Sequence, residues 1–404
     1  MRSDSWGATR ETVPVWGLCG PASLPTTAVA WLTDPSRRST LRTEAAQRVT
    51  EPTPVDNSVP SGIDAAAVTD WFRSHVPALS EPLRFELIAG GHSNLTFRVA
   101  DADDRRWVLR RPPLGQVLAT AHDMGREHRI ISALGPTAVP VPPTVGLCSD
   151  DSVNGAPFYV MDFVDGRVVR SPSDAAALSD EERRCAGESI VDVLACIHTV
   201  DVDEVGLGDL GRRDGYIARQ LKRWYSQFQA SDAQVDGGLG LGVVHEVHDR
   251  LAAAIPPQQG AAIVHGDYRL DNCMLGDDGR VVSVLDWEIC TLGDPLADVG
   301  LLWVYWSDPG DDAVLPQASP TALDGFPRKA ELVQRYGAAS ERDLSDLDFY
   351  VAFGCWKLTC IIAGVYARYA GGAMGDVPAD QVDGFKVMLE RLAQMTFAAT
   401  QDVG

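Results

Sequence analysis

The sequence predicts an α+β fold in two lobes, a small sheet-rich lobe followed by a larger helical one, and three observations carry that expectation. The chain has 404 residues and is 45% hydrophobic, enough for a large core that would normally divide into two lobes. Short alternating apolar runs crowd between Leu83 and Arg111, the period of half-buried strands. Helical apolar spacing dominates later, and strands first with helices after is the α+β order.

Residues 1–60 are rich in Pro, Ser, Thr and Arg and show no sustained periodicity. They read as a disordered leader, or as an extension upstream of a chain that starts later. Order is expected from Ile63, where "IDAAAVTDWFRSHV" has apolar residues at helical spacing. In the first lobe, residues 61–165, "RFELIAGGHSNLTFRVAD" and "RRWVLRRPP" predict strands joined through Gly90-Gly91 and a hairpin at Asp101 to Asp104. A helix is expected at "AHDMGREHRIISAL", stopped by Gly135-Pro136. The Pro-rich "VPVPPTVGLCSD" reads as a connector, and "PFYVMDFVDGR" as a buried strand ended by Asp165-Gly166. In the second lobe, residues 166–404, "EERRCAGESIVDVLACIHTV" and "YIARQLKRWYSQFQ" predict helices. A β-hairpin is expected between Ile263 and Glu288, then long helices at Glu341 to Ala370 and Gln381 to Ala399.

Composition removes several function classes. There are 56 acidic and 35 basic residues, a formal charge of −21, which argues against nucleic-acid and anionic-membrane partners. The eight cysteines form no C-x-x-C pair and no zinc spacing, and most lie in apolar stretches, as buried free thiols do. A reducing, cytoplasmic setting is the expectation. No apolar run is expected to reach the roughly 18 residues of a membrane span. Gly17 to Leu32 is mildly apolar, but Pro21 and Pro25 interrupt it and it lacks a basic start, so it reads as neither signal nor anchor.

The chemistry is concentrated in "IVHGDYRLDNCMLGDDGRVVSVLDWE", Ile263 to Glu288. An apolar run ends at His265, and H-G-D-x-x-x-x-N follows with the spacing of a protein-kinase catalytic loop, Gly266 replacing its arginine. Phosphoryl transfer needs a carboxylate to orient or deprotonate the attacking hydroxyl, and oxygen ligands for Mg²⁺ close by. Asp267 can supply the first, and Asn272 with Asp286, at the end of the second strand, the others. Asp277, Asp278 and Gly279 read as a solvated turn.

With these motifs in hand, "HGDYRLDN…VLDWE…GDPLADVG" resembles the aminoglycoside-phosphotransferase/choline-kinase group, and within it the kinase-like domain of acyl-CoA dehydrogenase family proteins. The resemblance covers Ile63 to the C-terminus and implies a protein kinase-like two-lobe fold and ATP- and Mg²⁺-dependent transfer of the γ-phosphate to a small-molecule hydroxyl. It implies Asp267 as catalytic base, Asn272 and Asp286 as Mg²⁺ ligands, and His265 and Asp298 as braces of the catalytic loop, His265 being counted with the catalytic residues. Asp294 and Pro295 would shape the following loop, Asp294 equally well as a plain helix cap.

That reading makes demands on the first lobe. "AGGHSN" should cover the phosphates, with Gly91 allowing close backbone approach and Ser93 and Asn94 offering donors. The lysine expected in the next strand is missing. Alternation sets Val108 and Arg110 on one face of "WVLRR", so Arg110 is the expected phosphate cation and Arg111 the alternative. Glu127, beside the apolar face of its helix, is the expected partner of Arg110. Met161, the Asp162 carbonyl and the Val164 amide are expected around adenine.

For the acceptor side, Tyr350, Trp356, Lys357, Tyr366 and Arg368 are candidates. Aromatic and cationic residues suit an anionic or acyl-bearing alcohol, and the resemblance to acyl-CoA dehydrogenase family proteins implies a hydroxyacyl-CoA or hydroxy acid, in a monomer or homodimer. An aminoglycoside kinase, which would need an acidic cleft, and a non-catalytic nucleotide-binding regulator are the alternatives.

Overall fold

The computed structural model describes residues 59–89, 94–114, 123–311, 319–371 and 379–401. The expected leader, the Gly90-Gly91 turn, Gly91 and Ser93 lie outside the described residues.

Helix α1 (Ala65–His75) starts where the Asp64 side chain accepts the Ala67 amide at 3.1 Å, and it buries Val68, Trp71 and Phe72. Strands β1 (Arg84–Ala89), β2 (Leu95–Ala100) and β3 (Arg106–Arg111) form an antiparallel meander. Helix α2 (Met124–Leu134) follows, then β4 (Thr144–Cys148), the short α3 (Asp151–Asn154) and β5 (Phe158–Asp162). The sheet order is β1-β2-β3-β5-β4. The Pro-rich segment expected as a connector therefore contains a strand. It is the edge strand, where flanking prolines leave no ladder bond unmade.

Alternation gives this sheet two apolar faces. Phe97, Val99, Trp107, Leu109, Phe158 and Val160 pack with Val68 and Phe72 of α1 in one core. Val108, Tyr159 and Met161 project the other way and join α2 in the larger core, which continues into the helical lobe. Arg110 shares this second face, toward the cleft between the lobes.

The second lobe opens with β6 (Arg167–Val168), α4 (Pro172–Ala176) and α5 (Asp180–Thr199), the last started by a Ser179/Glu182 capping box. Helices α6 (Tyr216–Asp232) and α7 (Gly242–Ala253) lead to β7 (Ala262–Val264). The predicted hairpin is formed by β8 (Cys273–Leu275) and β9 (Val281–Val284), paired antiparallel, with Asp277 and Asp278 exposed in its turn. Gly279 is required there: its φ is +79°, and a Cβ would sit 2.4 Å from the Glu182 carbonyl oxygen. Strand β10 (Thr291–Gly293) returns beside β7 and sets up α8 (Leu296–Tyr305).

The remaining helices are α9 (Lys329–Ser340), α10 (Leu347–Ala370) and α11 (Ala379–Ala399). The helix expected from Glu341 begins later, because Glu341 takes a left-handed φ of 55° and closes α9. Helix α10 also corrects the expectation about apolar runs. It has 24 residues, and an 18-residue window within it has a mean hydropathy of 1.5, enough by length and composition to cross a membrane, but 78% of that window is buried inside the protein. It packs against α6, α7, α8 and α11 and is the central core helix of the lobe.

Candidate active site

The loop after β7 is held from behind by buried hydrogen bonds. The Asp298 carboxylate, in the first turn of α8, accepts the His265 amide at 2.7 Å and the Gly266 amide at 2.9 Å. Burial opposes its charge, but the His198 ring and these amides hold it below the usual carboxylate range. The His265 ring is fully buried, 2.9 Å from the Leu285 carbonyl and against Trp287, so its part is to brace the loop rather than to meet substrate. Gly266 takes a φ of +86° and a Cβ there would press Ile289 at 3.1 Å, which accounts for glycine where kinases have arginine. Asp294 accepts the Tyr350 hydroxyl at 2.7 Å and the Leu296 amide at 3.2 Å, a structural role.

In front of that brace, Asp267 is half-buried. Its Oδ2 takes Asn272 Nδ2 at 3.0 Å, and its carbonyl takes the same nitrogen at 2.8 Å. Both bonds use the amide nitrogen of Asn272, which leaves its Oδ1 for a cation. Asp286, just beyond β9, has a left-handed φ of 64°, a conformation uncommon outside glycine.

The first lobe supplies the opposing wall. Arg110 Nη1 meets Glu127 Oε1 at 2.7 Å, and Arg110 Nη2 lies 3.5 Å from Asp286 Oδ1. Burial works against the guanidinium, but Glu127, Tyr159 and Asp286 around it keep it firmly charged. Burial lifts the Glu127 carboxyl above its usual range, while Arg110 pulls it down. Arg111 faces the other way, donating to the backbone carbonyls of Gly62, Pro112 and Asn154. The two arginines are thus divided as alternation requires, Arg110 in the cleft and Arg111 tying down the α3 end.

Met161 is buried at the end of β5. The Asp162 amide bonds the Pro143 carbonyl at 2.8 Å and the Phe163 amide bonds the Arg106 carbonyl at 3.1 Å. The Val164 amide has no backbone partner among the described residues. Asn94, which follows the undescribed phosphate-loop residues, is buried at the mouth of the cleft.

Several residues of the site escaped sequence reasoning. Glu288 lies two positions past Asp286, and burial, then Asp286 and Glu127, push its carboxyl up to about 7. Arg269 sits between two loop carboxylates, 3.4 Å from Asp267 and 3.1 Å from Asp271, with its guanidinium over Tyr305. A cavity of about 530 Å³ opens beside Gly266 and Glu288, walled by Asn94, Arg126, Gln220, Arg223, Trp224 and Lys357. Of the five acceptor candidates, Lys357 lines it. Tyr350 and Trp356 are buried, the latter bonded to the Val244 carbonyl, Tyr366 is partly buried against the core, and Arg368 is exposed.

The donor set fits a magnesium nucleotide. Arg110 Nε, Asp286 Oδ1 and Glu288 Oε2 are buried without a hydrogen-bond partner, and Arg110 lies 3.5 Å from Asp286. Among the described residues no group of three or more His, Cys, Asp or Glu side chains is assembled to hold a metal. A site of one amide and one carboxylate suits Mg²⁺, which keeps waters and takes phosphate oxygens as its other ligands.

Comparison with known proteins decides the family. The profile described as "Phosphotransferase enzyme family" matches residues 84–344. The chain belongs to the phosphotransferase enzyme family. Among curated relatives, this phosphotransferase is 33% identical over 313 residues to mouse acyl-CoA dehydrogenase family member 10, covering 76% of this chain and 28% of that protein. It is also 33% identical over 310 residues to the probable acyl-CoA dehydrogenase IBR3 of Arabidopsis thaliana, covering 72% of this chain and 37% of that protein. The phosphotransferase thus spans about a third of the length of these relatives. Among solved structures, a candidate aminoglycoside phosphotransferase from Ralstonia eutropha is 32% identical with a TM-score of 0.70, covering 84% of this chain and 99% of that one. Choline kinase from Cryptosporidium parvum, 11% identical with a TM-score of 0.58 over 84% of this chain and 96% of that one, shares the fold. The fold is protein kinase-like: a β-rich first lobe and a helical second lobe.

Proposed function

We propose that this phosphotransferase moves the γ-phosphate of ATP to a hydroxyl of a small acyl-bearing molecule, a hydroxyacyl-CoA or hydroxy acid. The observation that carries the reading is the convergence of Asp267, Asn272, Asp286, Arg110 and Glu127 on one cleft. Asp267, steadied by Asn272, receives the proton of the attacking hydroxyl. The new bond joins that oxygen to the γ-phosphorus, and the bond from the γ-phosphorus to the β–γ bridging oxygen breaks, leaving ADP. Arg110, aimed by Glu127, neutralises phosphate charge, and Asn272 Oδ1 and the Asp286 carboxylate would hold Mg²⁺. When bound, Mg²⁺ would supply positive charge to offset that of the transferring phosphate. Met161, the Asp162 carbonyl and the Val164 amide serve adenine, and Asn94 faces the phosphates.

The acceptor class rests on the cavity and on the relatives. An aminoglycoside carries several ammonium groups, and the wall presents Arg126, Arg223 and Lys357 beside the carboxyl groups of Asp123, Glu127 and Glu288, so its cations oppose part of that charge. Two of its carboxylates are already engaged, Glu127 by Arg110 and Asp123 by the Arg126 amide. The relatives named as acyl-CoA dehydrogenases support an acyl-bearing acceptor. The test is ATP consumption across hydroxyacyl-CoAs, free hydroxy acids, amino alcohols and aminoglycosides. Turnover with an acyl alcohol is expected; turnover confined to aminoglycosides would refute the acceptor assignment, and no binding or hydrolysis of ATP at millimolar concentration would refute the enzyme.

A further inference from the structure

We infer that Lys357 is an acceptor-binding residue, and that it receives an acyl oxygen of the acceptor, either a carboxylate or the carbonyl of its thioester. The inference rests on the phosphotransferase reading and names the chemistry that must accompany the acceptor hydroxyl.

Lys357 sits in the middle of α10, an apolar core helix where a cation is out of place, and is only 6% exposed. Its Nζ donates to the Gly266 carbonyl at 2.7 Å, which uses one of three donors. It forms no ion pair with a described residue. The acids that act on it from a distance are Asp298 and Asp267. Both are committed elsewhere, Asp298 to the His265 and Gly266 amides and Asp267 to Asn272. Burial disfavours the ammonium, and Arg223 opposes it further. A buried charge without a counter-ion is costly, so its retention calls for a partner that the folded chain does not contain.

The space next to Lys357 is the 530 Å³ cavity, which Lys357 lines together with Gln220, Arg223 and Trp224. Its Nζ lies 5.8 Å from the Trp224 ring, and the Arg223 guanidinium lies 5.0 Å from the same ring. Arg223 makes no hydrogen bond or ion pair with a described side chain. Lys357 and Arg223 therefore border one cavity, and neither forms an ion pair with a described residue, although Glu288 lines the same cavity. Gly266, held by Lys357, immediately precedes Asp267, so an oxygen bound at Lys357 lies close to the hydroxyl presented to Asp267. An acyl oxygen and a hydroxyl on one short chain satisfy both. Repulsion turns away an ammonium group.

The experiment uses straight-chain hydroxypentanoates with the hydroxyl at each carbon from 2 to 5. Each is supplied as free acid, as N-acetylcysteamine thioester and as the pentanediol whose carbon 1 bears a neutral hydroxyl in place of the carboxylate or thioester carbonyl, with kcat and KM read from ADP release and the phosphorylated position identified in the product. At the productive position an acyl form should exceed its diol by about 50-fold or more in kcat/KM, as expected where a buried polar group is left unpaired. Lys357→Met removes the Gly266 bond for every acceptor, so the diol should fall too, but the acyl form should fall by about 50-fold more than the diol, the excess appearing mainly in KM. Lys357→Arg should restore part of the loss. The acid and thioester arms identify which acyl oxygen binds.

Equal loss on acyl form and diol would mean that Lys357 only pins the loop, and would overturn the inference. So would a wild type that does not prefer the acyl form, or that turns over none of them. ATP hydrolysis without acceptor, measured on the same preparation, separates that last outcome from failure of the phosphotransferase reading. Should Lys357→Met fail to fold, the wild-type ratio and Arg223→Gln decide, the latter raising KM for the acyl form and not for the diol.

Discussion

Arg110 and Glu127 are the cleft's buried ion pair, and a double-mutant cycle measures what their contact is worth. The contact is 2.7 Å, with the side chains 13% and 1% exposed. Removing one partner of a buried pair costs about 3–5 kcal/mol because the other charge is left uncompensated. In Glu127→Gln, Arg110 keeps a weaker partner, Asp286 at 3.5 Å and 38% exposed. That places the loss at the low end, about 3 kcal/mol. In Arg110→Met, Glu127 can protonate at moderate expense, which gives about 2–3 kcal/mol. With both replaced no stranded charge remains, so the double variant should lose about 3 kcal/mol, leaving a coupling of about 2–3 kcal/mol. The assay is urea unfolding at pH 7 without nucleotide, followed by tryptophan fluorescence. Losses that add to within about 0.5 kcal/mol would refute the claim that this pair acts as a unit.

Two further perturbations probe the scaffold. Asp298→Asn exchanges two accepting oxygens for one while both loop amides still need partners, so kcat should fall by about 100-fold with ATP affinity changed less than about fivefold; a kcat within about threefold of wild type would show that the brace is dispensable. Glu182 is held down to about 2, first by Arg167 and then by the Ser179 capping bonds, from an ordinary value of 4.5. Its folded pKa is depressed, so its contribution is complete above about pH 4.5 and is lost as pH falls toward 2. Glu182→Gln should flatten the acid-unfolding profile in that window and leave the profile above pH 5 unchanged; a profile parallel to wild type below pH 4.5 would contradict the assignment.

Much of the site was legible because its geometry is local. The loop from His265 to Asn272, the exposed Asp277-Asp278 turn and the strand ending before Asp286 depend on sequence neighbours and hairpin chemistry alone. Arg110 could be preferred over Arg111 because a strand alternates, and the sheet keeps that alternation. Contacts made across the chain were harder to foresee. Strand β4 was hidden by its prolines, which only its edge position excuses. The break at Glu341 depends on one left-handed residue that no glycine announces. Glu288 was in plain view beside Asp286, but its importance comes from burial next to Glu127, on a distant helix. Lys357 did carry a signal, being a cation in the apolar middle of a long helix, but the same stretch offered aromatic residues that proved to be core.

The central claim is that Asp267 takes the proton of the attacking hydroxyl in a cleft that binds Mg·ATP independently of it. The direct measurement is acceptor phosphorylation by Asp267→Asn, with thermal stabilisation by ATP and Mg²⁺ recorded on the same protein. The account predicts a loss of transfer of about 1,000-fold or more, in the range that general-base removal allows, with the Mg²⁺-dependent shift retained. Transfer within about tenfold of wild type, with nucleotide binding intact, would contradict it.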